Sequence, residues 1–240
     1  MKKSPQLFLI HFAGGNCYSF GFLEIFLNRY FEIIPVELPG RGNRSREKLL
    51  IDFEEAARDI QQQITNRLAA WPFLIFGHSM GSYIGLKVTN ELVKIGQYPT
   101  CLIVSGSSGP KVCTERTSLL SQQEFIHKVQ TLGGTPPGLL ENEELVEYLE
   151  PILRADFGLS EQSNLVDEPA LEIPLFALMG NLESEVNQVG NWRRYTKRYF
   201  EYKIFEGGHF FINDHPQSVA QFIKQSYDKA TLLQYREIAG

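Results

Sequence analysis

The feature that most constrains the fold of this chain is a G-x-S-x-G motif formed by Gly77, Ser79 and Gly81. Four apolar residues at 73–76 precede it and predict a short buried strand, and apolar residues at helical spacing follow it. This context is typical of a nucleophile elbow, a sharp turn that lifts a serine hydroxyl clear of the sheet. The alternative is a glycine-rich turn with an idle serine, and the flanking strand and helix favour the elbow.

Length and charge narrow the class of protein. The 240 residues suit one α/β domain with a sizeable core, and 43% hydrophobic with 21% charged residues is ordinary for a globular chain. A net charge of −5 argues against nucleic-acid binding, which normally needs a basic face. No stretch reaches the length of a membrane span, so no membrane association is expected.

Cysteine usage and the N-terminal residues indicate the compartment. Cys17, Cys101 and Cys113 show neither paired nor metal-ligand spacing, which predicts reduced thiols. We expect Cys17 and Cys101 to be buried and Cys113 to be exposed. The apolar run at 7–10 is too short for a secretory signal and is followed by no convincing cleavage site. We therefore expect a soluble, cytoplasmic protein.

Strands and helices are predicted to alternate along the chain. Strands are expected at residues 7–12, 31–38, 73–76, 101–104, 174–179 and 200–205. Helical patterns lie between them, including one that Asp52 should cap and that ends near Leu68. Such alternation predicts a mostly parallel sheet flanked by helices. Ligands of these sheets bind at the carboxyl edge, where Ser79 would lie beside Ala13, Pro39 and Ser105.

The alternation is interrupted between residues 111 and 172. Two helices are predicted there, at 122–132 and 143–153, around a glycine- and proline-rich segment. A helical insertion at the active-site end of an α/β sheet is typical of a lid, although a pair of packing helices gives the same pattern. Helices are again expected at 189–199 and 218–227. One domain over 1–240 with a lid fits the pattern best.

A serine nucleophile needs a base and an acid that orients the base. Of the five histidines, His209 is the best candidate base, because it follows a strand and two glycines and comes after the serine in the chain. His215 is the competitor, but it stands at a predicted helix start. The acid should follow the strand at 174–179, where Glu183 and Glu185 are the two choices. We favour Glu183.

An oxyanion hole should combine two backbone N–H groups. One is that of Met80, the residue after the nucleophile. The other should come from the loop after the first strand, from Phe12 or Ala13. Gly14 and Gly15 would let that loop bend.

Several phrases in this order resemble the type II thioesterases, stand-alone editing enzymes of polyketide and nonribosomal peptide assembly lines with the α/β-hydrolase fold. The phrases are Phe12-Ala-Gly-Gly15, Glu37-Leu-Pro-Gly-Arg-Gly42, Gly77-His-Ser-Met-Gly81, Leu132-Gly-Gly-Thr-Pro-Pro137, Leu153-Arg-Ala-Asp-Phe157 and Gly207-Gly-His-Phe-Phe211. The resemblance runs nearly from end to end. Two positions depart from the family pattern: His11 stands where the family usually has proline, and Glu183 where it usually has aspartate.

The resemblance implies a substrate and partners. The substrate would be an acyl group on the 4′-phosphopantetheine arm of an acyl or peptidyl carrier protein, and hydrolysis would clear stalled or misprimed chains. No metal or redox cofactor is required, and the protein is expected to be a monomer. Arg41, Arg44 and Arg46 are candidate contacts to the phosphate or the carrier; a solvated basic loop is the alternative.

Two other functions are compatible with these sequence features. A product-releasing thioesterase or acyltransferase would use the same triad with a different acceptor or timing. A catalytically impaired carrier-binding module, a different class of protein, would retain the fold without the chemistry. The intact serine and histidine argue against the second, whereas the missing aspartate keeps it open.

Overall fold

A computed structural model describes residues 4–69, 72–110, 116–133 and 142–239 of the chain. Its centre is a six-stranded sheet of strand order β2-β1-β3-β4-β5-β6, in which every neighbouring pair is parallel. The strands are β1 (Gln6–Ile10), β2 (Glu32–Val36), β3 (Phe73–His78), β4 (Leu102–Ser105), β5 (Leu175–Gly180) and β6 (Phe200–Phe205). All six were predicted, and their ends differ from the predicted ones by at most two residues.

Helices connect the strands and cover the sheet. They are α1 (Gly21–Leu27), α2 (Phe53–Arg67), α3 (Met80–Lys94), α4 (Gln122–Leu132), α5 (Glu143–Gln162), α6 (Phe211–Asp214) and α7 (Pro216–Ala239). The cap predicted for α2 is confirmed, since the Asp52 carboxylate accepts the Glu55 N–H at 2.9 Å. In the described part of the chain, no helix has both the length and the apolar character needed to cross a membrane.

The core divides into two layers, one on each face of the sheet. Side chains of β3 alternate between them: Ile75 packs in one layer, and Leu74 and Phe76 pack in the other. The first layer includes residues of α2, α3 and α5, and the second includes residues of α1 and α7. Because both faces are covered, the four inner strands β1, β3, β4 and β5 are buried along their whole length. The predicted mostly parallel sheet flanked by helices is confirmed.

Helix α5 is longer than predicted. The expected end near Leu153 is wrong, because the helix passes Pro151 and continues to Gln162. Its second half buries Ala155 and Leu159, four residues apart and therefore on one face. Tertiary packing of that face offsets the backbone hydrogen bond that Pro151 cannot make.

The helix predicted at 189–199 is also wrong in type and position. Residues Val186–Tyr195 form a 3₁₀-helix instead. Val189, Trp192 and Tyr195 are all buried, at a spacing of three residues. Since a 3₁₀-helix has three residues per turn, this conformation places all three side chains on the same buried face.

The remaining sequence predictions concern the ends of the chain's elements and the cysteines. Helix α7 extends beyond both ends of the predicted 218–227 segment. Cys101 is buried as expected, whereas Cys17 is only half-buried in the loop before α1. Cys113 and most of the glycine- and proline-rich segment of the insertion lie outside the described residues.

Candidate active site

Ser79 lies at the sharp turn between β3 and α3. Its φ of 55° and ψ of −118° make it the one non-glycine residue with positive φ in the described part of the chain. Residues with a Cβ rarely adopt a positive φ, because the Cβ then approaches the neighbouring backbone too closely. A hydrogen bond to the neighbouring strand β4 stabilises the turn: the Ser79 N–H donates to the Ser105 carbonyl oxygen at 2.7 Å. Strain of this kind, held by the surrounding structure, is found at functional sites.

The two motif glycines are required by close backbone packing. A Cβ on Gly77 would lie 2.0 Å from the Gly81 carbonyl oxygen. A Cβ on Gly81 would lie 2.3 Å from the carbonyl oxygen of Ile10, at the end of the neighbouring strand. Both distances are far inside van der Waals contact. The turn therefore exists only with glycine at each position.

His209 reaches the serine from the loop after β6. Its Nε2 lies 2.9 Å from Ser79 Oγ. Gly207, with φ of 117°, permits the turn that presents the imidazole. The structure thus brings together the two residues predicted as nucleophile and base, 130 positions apart.

Glu183 completes the chain of hydrogen bonds. Its Oε2 lies 2.7 Å from His209 Nδ1, and its Oε1 accepts the Gly180 N–H at 2.8 Å. The carboxylate is only 10% exposed. Glu185, the other candidate acid, accepts a hydrogen bond from Ser108 Oγ at 2.7 Å. Of the two glutamates, the structure therefore places Glu183 against the imidazole.

The loop that carries the acid and the loop that carries the base are in direct contact. A Cβ on Gly180 would lie 2.4 Å from the Gly208 carbonyl oxygen. This close approach brings Glu183, three residues after Gly180, within reach of His209. The longer glutamate side chain thus takes the position that aspartate usually occupies in the family.

Two other histidines have local structural partners. His78 is fully buried beneath the elbow, with Nδ1 2.9 Å from Ser105 Oγ, and its burial lowers its pKa well below the usual value. His215 precedes α7, and its Nε2 lies 2.8 Å from the Glu206 carbonyl oxygen. In the described part of the chain, neither of these imidazoles is hydrogen-bonded to Ser79 Oγ, which lies against His209 Nε2.

The loop after β1, residues 12–15, lies across from His209; we refer to it as the oxyanion loop. Phe12 and Ala13 line the same cavity as Ser79 and Met80. Gly14 has φ of 74°, and the Gly15 N–H donates to the Phe12 carbonyl oxygen at 2.9 Å. The residues predicted to supply the oxyanion donors, Phe12, Ala13 and Met80, thus line the same cavity as Ser79.

His11 supports this loop from beneath. Its Nδ1 donates to the Phe12 carbonyl oxygen at 2.8 Å, and its Nε2 accepts the Leu38 N–H at 3.2 Å. These partners need one protonated and one free ring nitrogen, so the imidazole is neutral. Burial, followed by the nearby Arg41 charge, lowers the pKa of His11 to about 4. The departure from proline at this position thus adds two hydrogen bonds at the base of the oxyanion loop.

A cavity of about 490 Å³ opens above Ser79 and His209. One wall comes from helices α4 and α5 and is mainly apolar. Its apolar side chains are Val129, Leu132, Leu149, Leu153 and Phe157, and Lys128, Ser160 and Glu161 of the same helices also line the cavity. The inserted helices thus cover an apolar chamber that ends at the nucleophile.

Of the arginines that follow β2, Arg41 does not fit either predicted role. Arg41 is buried and forms an ion pair with Asp156 of α5. Arg44 pairs with Glu47 and Asp59, both at 2.6 Å. Arg41 is therefore neither a surface contact nor part of a solvated basic loop, because its guanidinium is buried against the Asp156 carboxylate. Of the three, only Arg46 is exposed.

Sequence reasoning missed the importance of Asp156. It belongs to the phrase Leu153-Arg-Ala-Asp-Phe157, but nothing in the sequence connects it with Arg41, 115 positions away. Among the described residues, no group of three or more His, Cys, Asp or Glu side chains is arranged to hold a metal ion.

Comparison with known proteins agrees with this geometry. The thioesterase domain family profile matches residues 5–227. The chain belongs to the thioesterase family. It is 30% identical over 223 residues to the gramicidin S biosynthesis protein GrsT of Aneurinibacillus migulanus, an alignment that covers 91% of this chain and 87% of that protein.

Solved structures of type II thioesterases superpose closely on this thioesterase. BorB, from the borrelidin biosynthetic cluster, matches with a TM-score of 0.85 and 27% identity, over 95% of this chain and 94% of BorB. YbtT, from the yersiniabactin NRPS/PKS biosynthetic pathway, matches with a TM-score of 0.86 and 26% identity, over 95% of both chains. The resemblance drawn from the motifs is confirmed: this is a thioester hydrolase of the α/β-hydrolase fold.

Proposed function

We propose that this thioesterase hydrolyses acyl groups from the 4′-phosphopantetheine arm of carrier proteins and so edits polyketide or nonribosomal peptide assembly. The observation that carries the proposal is the hydrogen-bonded series Ser79–His209–Glu183 beneath an apolar chamber. The type II thioesterases BorB and YbtT, which belong to such biosynthetic clusters, support the substrate class.

The first half of the reaction forms an acyl-enzyme. Ser79 Oγ attacks the thioester carbonyl carbon while His209 Nε2 accepts the hydroxyl proton. Glu183 holds the imidazole by its Nδ1–H and stabilises the positive charge that develops. The N–H groups of Met80 and of Phe12 or Ala13 bind the oxyanion. The carbon–sulfur bond then breaks, and His209 returns the proton to the departing pantetheine thiolate.

The second half releases the acid. Water enters where the thiol has left, and His209 accepts one of its protons as the oxygen attacks the acyl carbon. The tetrahedral intermediate again places its charge in the oxyanion hole. Ser79 leaves with the proton from His209, and a free carboxylic acid results. The scheme needs no metal ion or redox cofactor.

The lid helices define how the substrate is bound. The acyl chain would occupy the apolar chamber under α4 and α5, and the pantetheine arm would reach Ser79 from the carrier. Burial of apolar acyl surface favours binding by about 25 cal/mol per Å². We further propose that the protein works as a monomer in the cytoplasm, where its carrier partners would be; light scattering after size-exclusion chromatography tests the monomer.

Turnover of a loaded carrier tests the proposal. Purified protein is mixed with an acyl-loaded carrier protein, and loss of the acyl group is followed by intact-protein mass spectrometry. The same acyl group on coenzyme A is run in parallel. Faster loss from the carrier supports a carrier-directed thioesterase. Equal rates on both would contradict carrier recognition, and binding of the carrier without any acyl loss would favour the carrier-binding module.

A further inference from the structure

Asp156 links lid helix α5 to the oxyanion loop. Its side chain is completely buried, and its Oδ2 accepts the Gly14 N–H at 2.7 Å. The same oxygen accepts a hydrogen bond from Arg41 Nη1. A charged acceptor makes a backbone hydrogen bond both short and strong. The loop is thereby tied to a helix 142 positions away in the chain.

A second residue of α5 packs against the same glycine. Leu153 lies three residues before Asp156 and therefore on the same face of the helix. A Cβ on Gly14 would lie 2.6 Å from Leu153 Cδ2. Gly14 is thus held by α5 through one polar and one apolar contact. Its neighbour Ala13 and the preceding Phe12 are the proposed sources of an oxyanion N–H.

The Arg41–Asp156 pair is poorly suited to a purely stabilising role. Among the described residues, Asp156 Oδ1 and Arg41 Nη2 have no hydrogen-bond partner, although both atoms are buried. A buried ion pair with unsatisfied atoms carries a desolvation penalty, and apolar residues of similar size often replace such pairs without loss of stability. The buried pair is better explained by the hydrogen bond through which Asp156 holds Gly14 of the oxyanion loop.

The other hydrogen bonds of this loop are local. Gly15 N–H and His11 Nδ1 both donate to the Phe12 carbonyl oxygen, so they fix the shape of the loop and its attachment to β1. Asp156 fixes the loop from the opposite side, through α5. The second half of α5 is itself anchored in the core by Leu159, whereas the first half, before Pro151, is largely exposed.

We propose that Asp156 is a positioning residue that holds the oxyanion loop in its catalytic conformation, with Arg41 as its charge partner. The buried half of the lid helix thereby forms part of the support of the oxyanion hole, besides covering the acyl chamber. This inference rests on the proposed function, since it assigns a support to the proposed oxyanion donors.

Two double variants separate positioning from stability. Arg41→Met/Asp156→Asn removes both charges but retains an amide oxygen to accept the Gly14 N–H. Arg41→Met/Asp156→Leu removes the charges and the acceptor together. We expect both to unfold at temperatures close to that of the wild type. The asparagine variant should keep kcat within about threefold, and the leucine variant should lose at least about tenfold in kcat at unchanged KM.

A single variant and a control complete the test. Asp156→Glu keeps a charge opposite Arg41 but displaces the carboxylate, so it should also lower kcat. This variant provides the test if Arg41→Met/Asp156→Leu does not fold. Glu168→Gln removes a partner of Lys87 and Asn90, in a part-buried polar cluster away from the loop, and should leave kcat unchanged. Wild-type kcat in both the leucine and the glutamate variants would overturn the inference. An inactive wild type would instead overturn the proposed function.

Discussion

The Glu183 carboxylate uses its two oxygens for two different purposes. Oε2 lies 2.7 Å from His209 Nδ1, and Oε1 is held at 2.8 Å by the Gly180 N–H of its own loop. The backbone bond fixes the rotation of the carboxylate, so the oxygen that faces the imidazole is well placed to orient it. This arrangement predicts that Glu183, and not Glu185, is the acid of the triad.

Replacing each glutamate by glutamine distinguishes their roles. Glu183→Gln should lower kcat by about 10²-fold or more, because an amide orients the imidazole less well and does not stabilise the imidazolium. Glu185→Gln, the matched control two residues away, should stay within about threefold of wild type. Steady-state hydrolysis of an acyl thioester measures both. A larger loss in Glu185→Gln than in Glu183→Gln would reverse the assignment.

The elbow makes a prediction about stability. In Gly77→Ala, the new Cβ would overlap the Gly81 carbonyl oxygen, so we expect a loss of about 3 kcal/mol or more in the free energy of unfolding. Gly21→Ala, at the start of α1, is the control, since nothing lies within 4 Å of its added Cβ. That variant should change stability by less than about 1 kcal/mol. Urea denaturation measures both, and equal stabilities would be incompatible with the described turn.

His11 predicts a pH dependence of stability. Its pKa falls from 6.5 to about 4 on folding, so between these values the unfolded chain binds more protons than the folded protein. Stability therefore falls as the pH falls, and His11 should account for about 2 kcal/mol between pH 7 and pH 5. His11→Asn removes this titration. Urea denaturation at both pH values should show a smaller loss in the variant than in wild type; equal losses would contradict the burial of a neutral His11.

The proposed binding of the acyl chain in the cavity predicts a change of chain-length preference. Leu149 lines this cavity, so Leu149→Trp should reduce its volume and lower kcat/KM for long acyl chains about tenfold relative to short ones. Leu145, one turn earlier on α5 and 41% exposed, gives the matched control Leu145→Trp. A series of acyl thioesters of increasing length measures the ratio. The same ratio in both variants would place the acyl chain elsewhere.

Local signals in the sequence predicted a large part of this structure. The four inner strands β1, β3, β4 and β5 were predictable because each is a short, fully buried and mainly apolar run. Helix α4 was predicted with the observed ends, and Ser121 forms a capping box with Glu124 at its start. The position of Ser79 between strand and helix followed from the motif. In each case the information lies within a few residues.

Features set by distant contacts could not be predicted. The continuation of α5 beyond Leu153 depends on packing against the core, and the 3₁₀-helix at Val186–Tyr195 depends on burying Trp192 with its neighbours. The burial of Arg41 requires Asp156, which only the folded chain brings near. The choice between Glu183 and Glu185 likewise depends on the contact between two loops.

Trapping the acyl-enzyme tests whether Ser79 is the nucleophile. The protein is mixed with an acyl thioester, quenched in acid within milliseconds to seconds, and examined by intact-protein mass spectrometry and peptide mapping. We predict a transient mass increase equal to one acyl group, located on Ser79. The Ser79→Ala variant should show neither this mass increase nor turnover. Turnover that persists in Ser79→Ala, or an acyl group on another residue, would contradict the assignment of Ser79 as the nucleophile.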